Sequence, residues 1–345
     1  MRVFLIIIIA TFLFVSCSAL QSQYYEGSSF AMNTIISQEI YGDNAEESFT
    51  DVNKRIKEIE NNMTVKDLNS DIGKINEASA NASKNYTLIN RDTALVIEKA
   101  VFFSDKSNGA FDVTIKPLID LWNISGIHSE IPSDEEIKDT RYLVDYRGIL
   151  IKNEGKKTSV RLEMKNQAID LGGIAKGYAC DEAIKIYKDK NIESALINIG
   201  GNISALGTKP DKTQWKIGVQ NPRGETGTYI GVVSLKDNAI STSGDYQRFF
   251  ELDGKKYHHI IDPETGYPAK SGLISVSVIS KFAVDADALS TAVFVLGLEK
   301  GKSLIEELDN TEAVFITDEK QVLITSGLKN KFEFSDQSGA FTYIN

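Results

Sequence analysis

Four stretches of this 345-residue chain carry residues whose types and spacing suit chemistry on an anion. One, Ala168-Ile169-Asp170-Leu171-Gly172-Gly173-Ile174-Ala175-Lys176-Gly177-Tyr178, reads as a strand passing through a glycine turn into a helix. Glycines let the backbone approach a ligand closely, and a helix N-terminus offers unpaired N–H groups to negative charge. Lys176 adds a fixed positive charge. The stretch is not a Walker loop, because Lys176 precedes Gly177 and Tyr178 stands where Ser or Thr would bind magnesium. Nor does the glycine spacing fit the dinucleotide-binding G-x-G-x-x-G fingerprint. A phosphate site and a purely structural turn both account for it.

A second stretch, Val284-Asp285-Ala286-Asp287-Ala288-Leu289-Ser290-Thr291-Ala292, enters a helix. Asp287 and Thr291 are four apart and share a helical face, where a carboxylate and a hydroxyl suit a hard cation such as Mg²⁺. Taken alone, a capping role for Asp285 or Asp287 is the simpler reading. The third comprises Thr242-Ser243-Gly244-Asp245-Tyr246 and the segment Tyr257-His258-His259-Ile260-Ile261-Asp262-Pro263-Glu264-Thr265-Gly266. Two of the chain's three histidines are adjacent there. Neighbours on a strand point to opposite faces, so one ring can face a site while the other does not. That argues against joint zinc ligation and for a general base or a phosphate donor. An Asp-Pro-x-Thr-Gly turn explains the Pro and Gly but not the histidines. The fourth, Gly109-Ala110-Phe111-Asp112, could offer an aromatic face and a carboxylate to a ring system; a buried Phe beside a capping Asp explains it equally well.

Apolar periodicity predicts the elements that position these residues. Spacings of three and four place helices at about Glu46–Asn62 and Thr93–Ser107, and further helices at Ile174–Lys188, Ala286–Leu296 and Glu299–Leu308. Strands are expected at Val160–Met164, Ala195–Ile199, Lys216–Val219, Tyr229–Leu235, Ile274–Ile279, Ala313–Thr317 and Val322–Thr325. The polar stretch Ser125–Arg141 reads as a surface loop or short helix. Strands cluster in the second half without steady β-α alternation, so the class is α+β, and no Pro/Gly-rich linker divides the chain after residue 30.

With 42% apolar and 25% charged residues the chain can bury a large core, and its net charge of −10 gives no reason to seek nucleic acid. An apolar run from Val3 to Val15, preceded by Arg2, is too short to span a bilayer and fits a secretory signal. Ser16-Cys17-Ser18 then looks like a bacterial lipobox with Phe14 where Leu is usual; a plain signal peptide cut near Ala19 is the alternative. On the lipobox reading, residues 1–16 are a signal peptide, lipidated Cys17 opens a tether over 17–29, and residues 30–345 form the domain. The protein is then exported and held at the membrane. Cys180 has no intramolecular partner once Cys17 carries lipid.

In order and wording the motifs resemble the ApbE family of FAD:protein FMN transferases. The resemblance runs from Met32-Asn33-Thr34 through Gly109-Ala110-Phe111-Asp112, Asp170 to Gly177, Asn198-Ile199-Gly200-Gly201-Asn202, Thr242 to Tyr246 and His259-Ile260-Ile261-Asp262-Pro263, to Asp287-Ala288-Leu289-Ser290-Thr291. It implies a T-fold-like α+β body of mixed or antiparallel sheets that binds FAD in an elongated cleft with Mg²⁺ on the pyrophosphate. The implied FAD contacts are Met32, Ala110, Phe111, Asp112, Asp170, Lys176, His259 and Ile260; the implied metal ligands are the Gly173 carbonyl and the side chains of Asp287 and Thr291. His259 is the expected base, with Asp262 as its orienter or as an alternative base. Aligning Ser70-Asp71-Ile72 with the family's Ser-Glu-Ile pattern puts Lys66 where many members have an aromatic residue, which leaves a side hydrolysis of FAD to FMN and AMP open. The implied acceptors are exported FMN-binding domains of membrane redox complexes, modified on a threonine.

Overall fold

The computed structural model describes residues 24–127, 130–225 and 227–344. Cys17 and the signal segment lie outside them. In chain order the strands and helices are β1 (Tyr24–Ala31), β2 (Thr34–Tyr41), α1 (Ala45–Met63), α2 (Asp71–Ala80), β3 (Thr87–Ile89), α3 (Arg91–Lys106), α4 (Lys116–Trp122), α5 (Asp134–Arg141), β4 (Ile149–Glu154), β5 (Lys157–Leu162), α6 (Ala175–Asp189), β6 (Ser194–Ile199) and β7 (Asn202–Leu206). There follow β8 (Trp215–Gln220), β9 (Tyr229–Leu235), β10 (Ala239–Gly244), β11 (Phe249–Leu252), β12 (Lys255–His258), β13 (Leu273–Ser280), α7 (Ala283–Glu306), β14 (Glu312–Thr317), β15 (Gln321–Ile324), β16 (Phe332–Phe334) and β17 (Thr342–Tyr343).

A nine-stranded sheet in the order β1-β2-β6-β7-β10-β13-β14-β15-β17 is the frame. Its pairs are antiparallel except for β15 with β17. This is the expected α+β class with mostly antiparallel sheets. Helices α1, α6 and α7 cover one face, burying Ile36, Ile40, Ile56, Ile59, Val276, Val278 and Phe294 in one core. The three-stranded sheet β16-β9-β8 covers the other face over Trp215, Ile217, Val233 and Val314. Each large aliphatic side chain taken out of water there contributes about 1.5–3 kcal/mol.

Two expectations change. The stretch assigned to a tether is strand β1 from Tyr24 onward, each of its residues paired with β2. Its polar residues hide the strand in a hydropathy reading, while Tyr25 packs against Phe49 of α1, ring centroids 4.9 Å apart and planes tilted by 45°. Met32 and Asn33, both at positive φ (50° and 59°), make the two-residue hairpin turn, and Glu60 Oε1 accepts the Met32 N–H at 2.9 Å. The segment before the glycine turn is not a strand: Ala168 forms only an isolated bridge with Ile115. Elsewhere the ends shift by a few residues. Within the stretch read as loop or short helix, α5 forms behind a Ser133/Glu136 capping box. The two helices expected after Val284 are both present within α7, separated at Gly297 (φ 79°, ψ −178°), where the backbone leaves the helix against the Ser271 carbonyl. Helix α2 was not anticipated; Ser70 caps it by accepting the Gly73 N–H.

Candidate active site

Each of the four stretches sends at least one residue to the start of α6. The strap from Ala168 to Asp170 turns at Leu171, whose carbonyl accepts the N–H groups of Ile174 and Ala175 at 3.0 and 2.9 Å. Asp170 Oδ1 accepts the Gly172 N–H at 2.6 Å, and Lys176 Nζ donates to the Gly172 carbonyl at 2.7 Å. Helix α6 has no side-chain cap of its own. Its cap comes from α7: Asp287 Oδ2 accepts the Gly177 N–H at 2.9 Å. The helices can approach this closely because residue 177 is glycine; a Cβ there would stand 2.3 Å from the Ala283 carbonyl oxygen and 2.8 Å from Asp287 Cβ. Gly177→Ala is therefore expected to cost about 1–3 kcal/mol of stability, measured by urea unfolding; an unchanged midpoint would contradict the close approach.

Helix α7 is held in turn by a buried carboxylate of α6. Asp181 accepts the Ala283 and Val284 N–H groups at 2.8 and 2.9 Å, so neither Asp285 nor Asp287 caps α7. Burial pushes the Asp181 carboxyl up to about 7. Asp285 pairs with Lys99 at 2.7 Å instead.

One turn beyond Asp287, Thr291 stands beside Gly173 and Phe111: a Cβ on Gly173 would lie 3.6 Å from Thr291 Oγ1 and 3.2 Å from the Phe111 ring. Alternate residues of β10 reach the same place from the sheet. Ser243 Oγ is 3.3 Å from Thr291 Oγ1 and 2.9 Å from Ser290 Oγ. Ser241 lies 3.4 Å from Asp287 Oδ1 and also donates to Asn202 Oδ1. Ser243, Ser290 and Asn202 fall within the quoted motifs without a role assigned to them, and Ser241 lies outside them, although a two-residue period along Ile240-Ser241-Thr242-Ser243 would have put both β10 serines on one face. Cys180 is buried just behind, its thiol donating to the Asn202 carbonyl at 3.4 Å, and burial holds it protonated.

These donors are all oxygens, and among the described residues no three His, Cys, Asp or Glu side chains form a metal cluster. A hard cation that also takes ligands from a bound phosphate fits such a set; a soft thiolate-loving metal does not.

The fourth stretch divides. Phe111 lies against Gly173, whereas Asp112 turns inward, its Oδ1 accepting from the Thr114 N–H and hydroxyl at 2.7 and 2.6 Å and its Oδ2 from the Tyr146 N–H at 2.9 Å. Burial raises its carboxyl. Three of its acceptor sites are thus taken, and the carboxylate ties the Thr114 and Tyr146 backbones together beneath Phe111. Ala110 leads into this turn, donating its N–H to the Ser107 carbonyl at 3.2 Å.

The two histidines separate as a strand end requires. His258 is buried edge-on to Phe294; its Nε2 bonds the Ala269 carbonyl at 3.0 Å and its Nδ1 accepts the Ile260 N–H at 3.3 Å, so both nitrogens are spent. His259 lies just past β12, and its Nδ1 bonds only the Arg248 carbonyl, at 3.2 Å. Burial first, then the positive charge of Arg248, lowers its pKa to about 3, with Lys176 adding a smaller push. The ring is therefore neutral at pH 6. Asp262 does not orient it: its carboxylate closes its own turn, accepting from the Glu264 N–H at 2.8 Å and the Thr265 hydroxyl at 3.0 Å. The Arg248 carbonyl takes that role.

The glycine turn at a helix N-terminus, the oxygen donors and the neutral histidine together suit chemistry at phosphorus, the class this fold and site support. Comparison with known proteins makes the class particular: the chain belongs to the ApbE family, which matches residues 32–315. It is 35% identical over 279 residues to a FAD:protein FMN transferase of Treponema pallidum, covering 78% of this chain and 77% of that one. A crystal structure of the ApbE protein of Thermotoga maritima superposes with a TM-score of 0.80 at 33% identity, covering 89% of this chain and 98% of the other. The flavin transferase ApbE of Vibrio cholerae follows at 0.79 and 25%, covering 90% and 99%.

Proposed function

We propose that this protein transfers FMN from FAD to a threonine hydroxyl of an acceptor protein, releasing AMP, and that it needs Mg²⁺ to do so. The observation that carries the reading is the convergence of Gly173, Gly177, Asp287 and Thr291 where α6 begins, the place a helix offers its N–H groups to a pyrophosphate. Asp287, Thr291 and the Gly173 carbonyl would hold Mg²⁺, which neutralises phosphate charge when bound. Lys176 and the Gly172–Gly173 backbone hold the FMN phosphate, and Phe111 walls the cleft beside it. The acceptor hydroxyl oxygen forms a bond to the FMN phosphorus as the P–O bond to AMP breaks. His259 Nε2, left free by the Nδ1–H bond to Arg248, takes the hydroxyl proton.

The lipobox reading of Cys17 places the enzyme outside the cytoplasm on a lipid anchor, where exported FMN-binding domains of membrane redox complexes would be its acceptors. Incubation with FAD, Mg²⁺ and such a domain is expected to add one FMN to the acceptor in intact mass and to lose that increment when the acceptor's threonine is replaced. Free FMN and AMP with an unmodified acceptor would instead make the protein a pyrophosphatase.

A further inference from the structure

Ile169 sits midway along the strap that leads into the phosphate loop, and its backbone is satisfied from an unexpected quarter. Along an extended segment, successive residues turn their N–H and C=O groups to opposite sides. On one side the strap has a neighbour: Ala168 bridges Ile115, and the Asp170 N–H donates to the Val113 carbonyl at 2.8 Å. On the other side runs helix α2, and Asn76 does what a strand would do. Its Nδ2 donates to the Ile169 carbonyl at 2.9 Å, while its Oδ1 accepts the Ile169 N–H at 2.7 Å.

A primary amide offers a donor and an acceptor side by side on one plane, as a peptide group does. Aspartate lacks the donor, and glutamine stands one methylene too far out. Ile169 is fully buried, so without Asn76 both of its backbone groups would lack partners, at about 1–3 kcal/mol each. The effect also passes along the chain. The next residue, Asp170, fixes Gly172, and Leu171 receives the first N–H groups of α6. Helix α2 directly follows the 64–70 loop that carries Lys66, so one short helix abuts both that loop and the strap.

We infer that Asn76 is the positioning residue of the phosphate loop: by clamping Ile169 it sets where Asp170 to Gly173 stand relative to Asp287 and Thr291. The inference rests on the reading of this loop as the FAD-phosphate site. A matched control lies on the same helix, where Ser79 Oγ donates to the Met164 carbonyl at 2.9 Å, five residues upstream of Ile169 and outside the strap.

The test is calorimetric FAD binding with Mg²⁺, alongside thermal unfolding, for the full-length protein and three variants. Asn76→Ala is expected to weaken FAD binding by about tenfold to a hundredfold, as displaced positioning groups do, whereas Ser79→Ala lowers the melting temperature and leaves the affinity within about twofold. Asn76→Asp, which keeps the shape and the bond to the Ile169 N–H, serves if the alanine variant does not fold, and is expected to weaken FAD binding as well. Affinities at Asn76 equal to wild type, or losses in Ser79→Ala as large as those at Asn76, would overturn the clamp. A wild-type protein that binds no FAD would overturn the phosphate-site reading along with it.

Discussion

Asp287→Asn is expected to abolish FMN transfer while leaving the protein folded. On the proposed function the carboxylate has two jobs, and the substitution separates them. Its Oδ2 caps α6 through the Gly177 N–H, which needs only an acceptor oxygen, and an asparagine Oδ1 supplies one. Its charge is needed for Mg²⁺, because the neighbouring donors Thr291, Ser243 and the Gly173 backbone are neutral and a doubly charged ion gains little from them alone. Removing one such electrostatic contribution at phosphorus costs about 10²–10³ in rate, so flavin fluorescence of the acceptor in a gel should fall to background. Melting temperature in the absence of ligands should barely move, but the stabilisation that Mg²⁺ plus FAD gives the wild type should vanish. Asp287→Ala should lose the cap as well, about 1 kcal/mol more. Full Mg²⁺-dependent flavinylation by Asp287→Ala would refute the metal role.

The same residue shows how far the sequence could be read. Asp287 invites two readings, a helix cap and a metal ligand. The cap exists, but the helix it caps is α6 and not its own, which nothing local reveals and which leaves the carboxylate placed for the proposed metal role as well. The four-residue spacing to Thr291 and the glycines at 172, 173 and 177 were legible because they are local facts about one helix and one turn. What could not be read are contacts across the chain. Asn76 serves a residue 93 positions away, and Ser241 reaches Asp287 from β10 while bonded to Asn202 on β7. Asp262 looked like an orienter because it is close to His259 in sequence, yet a turn consumes its oxygens. Helix α2 was hidden by Gly73, an unfavourable helix residue that is required because a Cβ would stand 2.1 Å from the Asp67 carbonyl oxygen. Strand β1 was hidden by its serines and glycine: Ser28 is exposed, Gly27 lies under Phe49, and Ser29 turns to α1 only to bond Asn53.

Replacing His259 should cost nearly as much as replacing Asp287, and its neighbour provides the contrast. His259→Ala is expected to lower kcat by about 10²–10⁴, the usual worth of a positioned base, with the melting temperature little changed and part of the rate restored by added imidazole. His258→Ala should do the reverse. Its ring is buried against Phe294 with both nitrogens bonded, so its loss opens a cavity and orphans the Ile260 N–H and Ala269 carbonyl; stability falls by about 2–4 kcal/mol and imidazole restores nothing. The pH profile gives a second, independent reading. A base works only when unprotonated, so its rate contribution is lost as pH falls through its folded pKa. With the usual histidine value of 6.5, the neutral fraction at pH 5 would be about thirtyfold below its plateau. Burial and the neighbouring cation put His259 near 3, so the wild-type kcat should stay nearly flat from pH 8 down to pH 5. An acid limb centred near 6.5 that disappears in His259→Ala would show the ring to be solvated and ordinary, and the desolvated site described for it would be wrong. A flat profile combined with loss of rate in His259→Ala requires a neutral imidazole held by the Arg248 carbonyl with its second nitrogen turned to the acceptor hydroxyl.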